Sequence, residues 1–460
     1  MDAERARDAG TRAQVVTGNS LLEEALRAQA AGRAREAAEL YGHVLRYDPD
    51  QLVALNNLGL LLGEARRWDE SEALLARAAR IAPRRPDAWV NLATVLAGQK
   101  KLDDAAAACR KALEIAPENR QAQNTLASVL ADAGRHDEAI GLLERIVKKR
   151  PGYATGHAFL GSLYAKRARH EDAVAAFRRA VDADPKDGVS LAAAAECLLV
   201  LGRAAEALPL LERALALDAY DVRALALKTL ALAETGRTDE ERALSDPGRL
   251  IHAMTLVRLG YPAAEIADLN RGLAEFAAAE AGMQQDPAQY ATYRGWHSTT
   301  NLAHAPHPAI AKLKEAIRRA FDERLARLPE EDAAHPLVRA APPDYALDLW
   351  CVRLAGGGGK MLPHIHLAGW LSGVYYVEVP KIVDDPAAGR AGWIEFGPPR
   401  VDIRLSRSPL VRAVKPEPGL LLTFPSYFWH DTVPLPADNT EQRLIFSWDY
   451  QPLRGSQPLR

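Results

Sequence analysis

The sequence predicts a multidomain α plus β chain, with an all-α superhelical solenoid followed by a β jelly-roll domain with flanking helices. Two observations carry this. Prolines recur at 49, 83, 117, 151 and 185, each 34 residues after the last, in an alanine-rich background. Further on, short aromatic and β-branched runs replace that background, and six of the eight tryptophans lie at or after Trp296.

At 460 residues the chain is too long for one ordinary core. Its 48% hydrophobic and 26% charged residues read as globular. A net charge of -2 gives no reason to expect a nucleic-acid partner. Cys109, Cys197 and Cys351 are widely separated and odd in number, which argues against a disulfide framework and for a reducing compartment. The N-terminus lacks the apolar core of a signal peptide, and no apolar run approaches the ~18 residues of a membrane span. A cytoplasmic protein without a membrane partner is therefore expected.

Other positions keep the proline period. Ala37, Ser71, Ala105, Ala139, Ala173 and Ala207 form a small column, and Tyr41, Leu75, Cys109, Leu143, Phe177 and Leu211 a large one. Gly59, Ala93, Ala127, Gly161 and Ala195 form a second small column, ten residues after each proline. Gly32, Gly134, Gly202 and Gly236 mark the turn inside several units, with Arg66, Lys100 and Ala168 at equivalent places. Two antiparallel helices per unit explain this: small residues let them approach, the large one fills the gap, and proline ends the second helix. The pattern resembles the tetratricopeptide repeat family. About six units run from roughly 17 to 219, and a last helix near 220–236 caps them, giving an array over 17–237 after a tail over 1–16. The resemblance implies a concave groove that binds a protein or peptide segment. Asn57 and Asn91 share one repeat position on the expected groove side and are candidates to hydrogen-bond a ligand backbone; solvated polar positions on an exposed face are the alternative.

Charged TDEERALSDPGRL, ending in turn residues, predicts a linker over 238–248. A second domain is expected over 249–455. Residues 249–258, 263–281 and 308–327 read as helices, and 346–354, 371–379, 392–397, 419–425 and 442–450 as short strands of a closed β-structure. Gly356 to Gly359 precede Lys360, but no Ser, Thr or helix follows, so a flexible loop is expected and not a phosphate loop.

The candidate site lies in this domain. His364 and His366, one residue apart on extended chain, point the same way. His430 follows an apolar strand and can approach from a neighbour, so three imidazoles converge and leave coordination positions open. Arg443 lies 13 residues after His430 on the next strand, and its fork of donors suits a carboxylate. Ser372 and Tyr376 share a strand face and are candidates to line the same pocket. His304 and His307 form a rival pair without a third partner. Asp431 and Asp449 are available carboxylates, but neither has the spacing of an obvious further ligand.

HIH (364–366), SGVYY (372–376), FPSYFWH (424–430), GWHSTTNL (295–302) and the Trp350 strand resemble the 2-oxoglutarate/Fe(II) dioxygenase families with a double-stranded β-helix, over roughly 249–451. The resemblance implies Fe(II) on His364, His366 and His430, and 2-oxoglutarate with its far carboxylate on Arg443. The commoner pattern is His-x-Asp/Glu. Here His366 occupies the carboxylate position, which makes the site more positive by one charge. The function expected is hydroxylation of a protein or peptide brought by the repeat groove, by analogy with aspartyl/asparaginyl hydroxylases that pair helical repeats with such a barrel. The alternative is a non-catalytic repeat adaptor with a cupin-like metal-binding or structural module. A repeat-linked glycosyltransferase or sulfotransferase fits poorly, because no Gly-rich turn sits between a strand and a helix.

Overall fold

The computed structural model describes residues 19–287, 290–328 and 333–453. The expected tail over 1–16, the array start at 17 and the domain end at 455 lie outside the described residues. The chain divides into two compact units, Met1–Arg169 and His170–Arg460.

The first unit is helical. A helix over 19–30 is followed by Ala34–Tyr47, Leu52–Glu64, Trp68–Ile81, Pro86–Gly98, Leu102–Ile115, Arg120–Asp132, His136–Lys149 and Ala154–Lys166. Ala37, Tyr41, Leu75, Ala105, Cys109, Ala139 and Leu143, from the two columns, are all buried. The complementarity is tight: a Cβ on Gly59 would lie 2.6 Å from Leu75 Cγ. Each internal turn closes through a left-handed residue that lets the next N–H groups reach back to free carbonyls, as in Arg66 N–H to Gly63 O (2.9 Å) and Arg67 N–H to Leu62 O (2.8 Å). Gly32, Arg66, Lys100, Gly134 and Ala168 all hold positive φ, between 55° and 74°. Arg66 and Lys100 carry a Cβ that this conformation disfavours. Arg66→Gly and Lys100→Gly are each expected to stabilise the array by roughly 0.5–1 kcal/mol. A urea midpoint that falls in both variants would contradict this.

The second unit begins with helices His170–Ala183, Gly188–Val200, Ala204–Leu217 and Val222–Glu234, in the same repeat pattern. Val222–Glu234 is buried almost all round, because the FPSYFW segment lies against it. Trp429 Nε1 donates to Ala226 O (3.1 Å), and Tyr220 Oη donates to Trp370 O (2.6 Å). The sequence carries the sign of this: VRALALKTLALAE is apolar on more than one face. Helix Thr238–Ser245 follows, and its Leu244 carbonyl accepts from Tyr427 Oη (2.7 Å).

One element differs from expectation. Instead of a helix over 249–258, a helical turn Pro247–Leu250 leads into strand β1 (His252–Thr255). A short apolar run is compatible with either state, and pairing at the sheet edge decides for strand. The helices expected over 263–281 and 308–327 form as Ala263–Ala279 and Pro308–Arg327. They pack on the sheet: Tyr375 Oη donates to Asn270 Oδ1 (2.6 Å), and the Phe321 ring lies 3.8 Å from that of Tyr450.

The remaining strands are β2 (Met283–Gln285), β3 (Thr292–Tyr293), β4 (Gly295–Ser298), β5 (Tyr345–Leu354), β6 (Lys360–Met361), β7 (Leu371–Glu378), β8 (Ile394–Phe396), β9 (Arg412–Val414), β10 (Leu420–Pro425), β11 (His430–Thr432) and β12 (Arg443–Pro452). They form a seven-stranded sheet, β1-β10-β7-β12-β5-β4-β2, a three-stranded sheet, β11-β8-β9, and the pair β3-β6. All five expected strands are present. Those not foreseen span two to four residues, too short for a period to show. The large sheet carries Ser372, Tyr376, Arg443 and Asp449, while the small one carries His430. Gly373 is obligatory on β7, since a Cβ there would collide with the Trp448 indole and the Leu422 carbonyl.

Candidate metal centre

His364 and His366 lie on an extended segment that is not a full strand. His364 pairs with His430 through two backbone hydrogen bonds of 3.1 Å, and His366 N–H donates to Ser426 O (3.0 Å). Pro363 offers no N–H, which limits the ladder here. The segment is nonetheless held against the chain that delivers His430.

The three side chains meet. One ligand atom from each lies within 4.8 Å of the others, the only such group of three among the described residues. Each Nδ1 is engaged outward: His364 with Leu362 O (2.7 Å), His430 with Phe428 O (2.9 Å) and His366 with Asp449 Oδ1 (2.6 Å). Carbonyl and carboxylate oxygens only accept, so Nδ1 carries the proton in all three rings, and in each neutral ring Nε2 carries the lone pair. The Nε2 atoms of His364 and His366 are 3.3 Å apart. When both rings are neutral no proton lies between them, the two lone pairs repel, and a cation relieves the repulsion. Ligand bonds of about 2.1 Å at right angles put two nitrogens about 3 Å apart, so the spacing fits a metal ion. Burial pushes the His364 pKa down to about 3 and that of His430 well below the usual value, which keeps those two rings neutral.

His364 and His366 open on a cleft of about 510 Å³ that is also lined by Tyr290, His297, Asp348 and Trp350. His297 is buried, stacked 3.8 Å from the Tyr290 ring, with Nδ1 2.6 Å from Ser298 O. Burial lowers its pKa to about 4. An unfolded chain takes up that proton near pH 6.5, so this group's contribution is present above pH 6.5 and lost as pH falls toward 4. Between pH 7 and 5 the wild type is expected to lose roughly 2 kcal/mol more than His297→Gln. Parallel urea midpoints in the two proteins would exclude it.

Residues 348–449 match the family model described as "Putative 2OG-Fe(II) oxygenase", and 22–86, 56–120 and 124–188 match a tetratricopeptide repeat model. The chain joins tetratricopeptide repeats over 22–188 to a domain over 348–449 that matches the 2OG-Fe(II) oxygenase model. No curated protein matches it. Among solved structures, YrrB, titled a TPR protein with an unusual peptide-binding site, is 19% identical over 42% of this chain and 100% of its own, with a TM-score of 0.35. The pilF protein of Pseudomonas aeruginosa is 14% identical over 46% of this chain and 96% of its own, with a TM-score of 0.39. A tetratricopeptide repeat protein from Parabacteroides merdae is 15% identical over 49% and 89%, with a TM-score of 0.40.

Within the oxygenase domain Arg443 is 1% exposed. Its guanidinium donates to Gly392 O (2.8 Å) and Thr432 Oγ1 (2.9 Å), and its Nε has no partner. No carboxylate pairs with it among the described residues, and burial lowers its pKa from the usual arginine value. Its Cζ lies 5.6 Å from the centre of the Tyr376 ring, whose buried hydroxyl also has no partner. A buried cation and an unsatisfied hydroxyl side by side fit an acidic ligand. Tyr376 thus lies beside Arg443, and neither lines the cleft on which His364 and His366 open. Ser372 lies beside Asp449, its hydroxyl donating to Asp449 Oδ1 (2.6 Å) and paired with Ser426 Oγ (2.7 Å).

In the repeats, Asn57 Nδ2 donates to Tyr41 Oη (2.8 Å) and Asn91 Nδ2 to Asn56 Oδ1 (3.1 Å). The rival His307 accepts from Ala309 N–H (3.3 Å) at the start of its helix. The residue that sequence reasoning passed over is Asp449. It shares strand parity with Arg443, and a carboxylate on so apolar a strand was the available signal.

Proposed function

We propose that this protein is a 2-oxoglutarate- and Fe(II)-dependent oxygenase that hydroxylates a protein or peptide recruited by its tetratricopeptide repeats. One observation supports it above the others: three imidazoles bring ligand atoms within 4.8 Å of one another, and an arginine buried with no carboxylate partner among the described residues is bonded to Thr432, two residues beyond His430. His364, His366 and His430 would hold iron through Nε2, and Arg443 would hold the far carboxylate of 2-oxoglutarate, with Tyr376 donating to the same anion. Thr432, bonded to Arg443, is two residues beyond His430 on β11. Two residues of strand span about 7 Å, comparable to a five-carbon dicarboxylate stretched between the two groups. When bound, iron and 2-oxoglutarate supply the oxidation of a C–H bond by O2 to C–OH, with succinate and CO2 as co-products. Phe396 and Phe424, whose rings lie 5.8 and 4.8 Å from that of His430, would keep water from that side. The substrate side chain would enter by the cleft beside Trp350.

Asn57 and Asn91 spend amide N–H groups inside the array, so in this reading they offer their carbonyl oxygens to a peptide backbone. The three cysteines are free and buried, consistent with the cytoplasmic location we propose. The test is direct. The full chain, loaded with Fe(II) without oxygen and then given 2-oxoglutarate, O2 and ascorbate, is expected to form succinate, faster with a bound peptide. Metal binding without 2-oxoglutarate affinity would instead indicate the non-catalytic adaptor.

A further inference from the structure

We infer that Asp449 is the anionic part of the metal centre: through His366 its carboxylate returns the charge that a carboxylate ligand at position 366 would supply directly. This rests on the metal-centre reading above. Three neutral imidazoles leave a dication at +2, whereas two imidazoles and a carboxylate leave it at +1. Adding Asp449, one hydrogen bond away, restores +1.

The geometry singles out this one histidine. His364 and His430 turn their Nδ1–H toward backbone carbonyls, which are neutral. Only His366 turns it toward a carboxylate, at 2.6 Å, with the two side chains 8% and 10% exposed. A carboxylate on Nδ1–H fixes the ring and makes Nε2 a stronger donor to a metal. Asp449 has no lysine or arginine partner among the described residues; besides His366, its oxygen accepts only from Ser372. The charge is kept against local preference, since Asp449 sits directly across from Asp348 on β5. Like charges so placed are destabilising. Amide groups of Asn301 and Gln451 donate to Asp348, but no lysine or arginine is bonded to either aspartate among the described residues. Gly369 completes the fit, because a Cβ there would press on Ser426 Oγ and the Asp449 carboxylate.

Asp449 is a positioning residue, and a purely structural role for it is separable. Asp449→Asn keeps an oxygen for His366 and Ser372 but removes the charge. Titration of the full apo chain with Co(II), followed by its visible bands and by chelator competition, is expected to show about 10- to 100-fold weaker binding in this variant. A second comparison does not depend on that variant folding. His366→Asp places a carboxylate in the metal shell facing Asp449, so binding is expected to be weak. The combination with Asp449→Asn removes the clash and is expected to bind at least about 10-fold tighter than His366→Asp alone. A wild-type chain that binds Co(II) while Asp449→Asn binds equally well overturns the role of Asp449 alone. Equal binding by His366→Asp and the double variant does the same. A wild-type chain that binds no metal overturns both this and the metal centre.

Discussion

Replacing His364 and His430 together by alanine is expected to abolish metal binding by the full chain, from one ion per molecule to none. Each ring supplies one lone pair, and the double variant leaves only His366, which no other described side chain completes into a group of three. Binding energies of about 10–16 kcal/mol for four-ligand zinc sites imply roughly 3–4 kcal/mol per ligand. Losing two ligands should then cost about 10⁴- to 10⁶-fold in affinity. Metal content after purification without chelators is the readout, together with the rise in melting temperature on adding metal, which should disappear. The apo melting temperature guards against a trivial loss of fold. Normal metal content in the double variant would sink the assignment of the site.

The second large effect concerns Arg443. Arg443→Ala is expected to retain metal and lose 2-oxoglutarate affinity by on the order of 10²- to 10³-fold, the consequence of removing one side of a buried charge pair. Arg443→Lys should fall between, since it keeps the charge but not the planar fork. The sign of the stability change is also diagnostic. Without ligand, Arg443 is a buried cation that no carboxylate offsets among the described residues, a net desolvation cost. Arg443→Met, which keeps most of the stem volume, should therefore leave the apo protein at least as stable, while abolishing stabilisation by 2-oxoglutarate. Tight 2-oxoglutarate binding by Arg443→Ala would place the co-substrate elsewhere.

The repeat half was legible because its information is periodic and local. The left-handed turn residue shows how far this goes: Arg66, Lys100 and Ala168 adopt the conformation of the glycines at their register positions. The closing hydrogen bonds impose it, and the side chain only changes its cost. The expected helix over 249–258 failed for the opposite reason. HAMT became a strand because β10 offers it an edge, more than 160 residues away along the chain. The burial of Val222–Glu234 was half-legible: its apolar faces were visible, but not the FPSYFW segment that covers one of them.

The site divides the same way. By itself the sequence determined the 34-residue period and the strand cores, and it named three histidines and one arginine as candidates. Residue type and spacing carry those, since each follows from contacts within a helix pair or along one strand. Only the tertiary structure decided which atoms face which. His366 meets Asp449 across 83 residues, and the two are joined by the order of strands in the sheet and not by any spacing. Strand order is a property of the assembled core, where burial makes an unpaired carboxylate or guanidinium costly enough to require a partner.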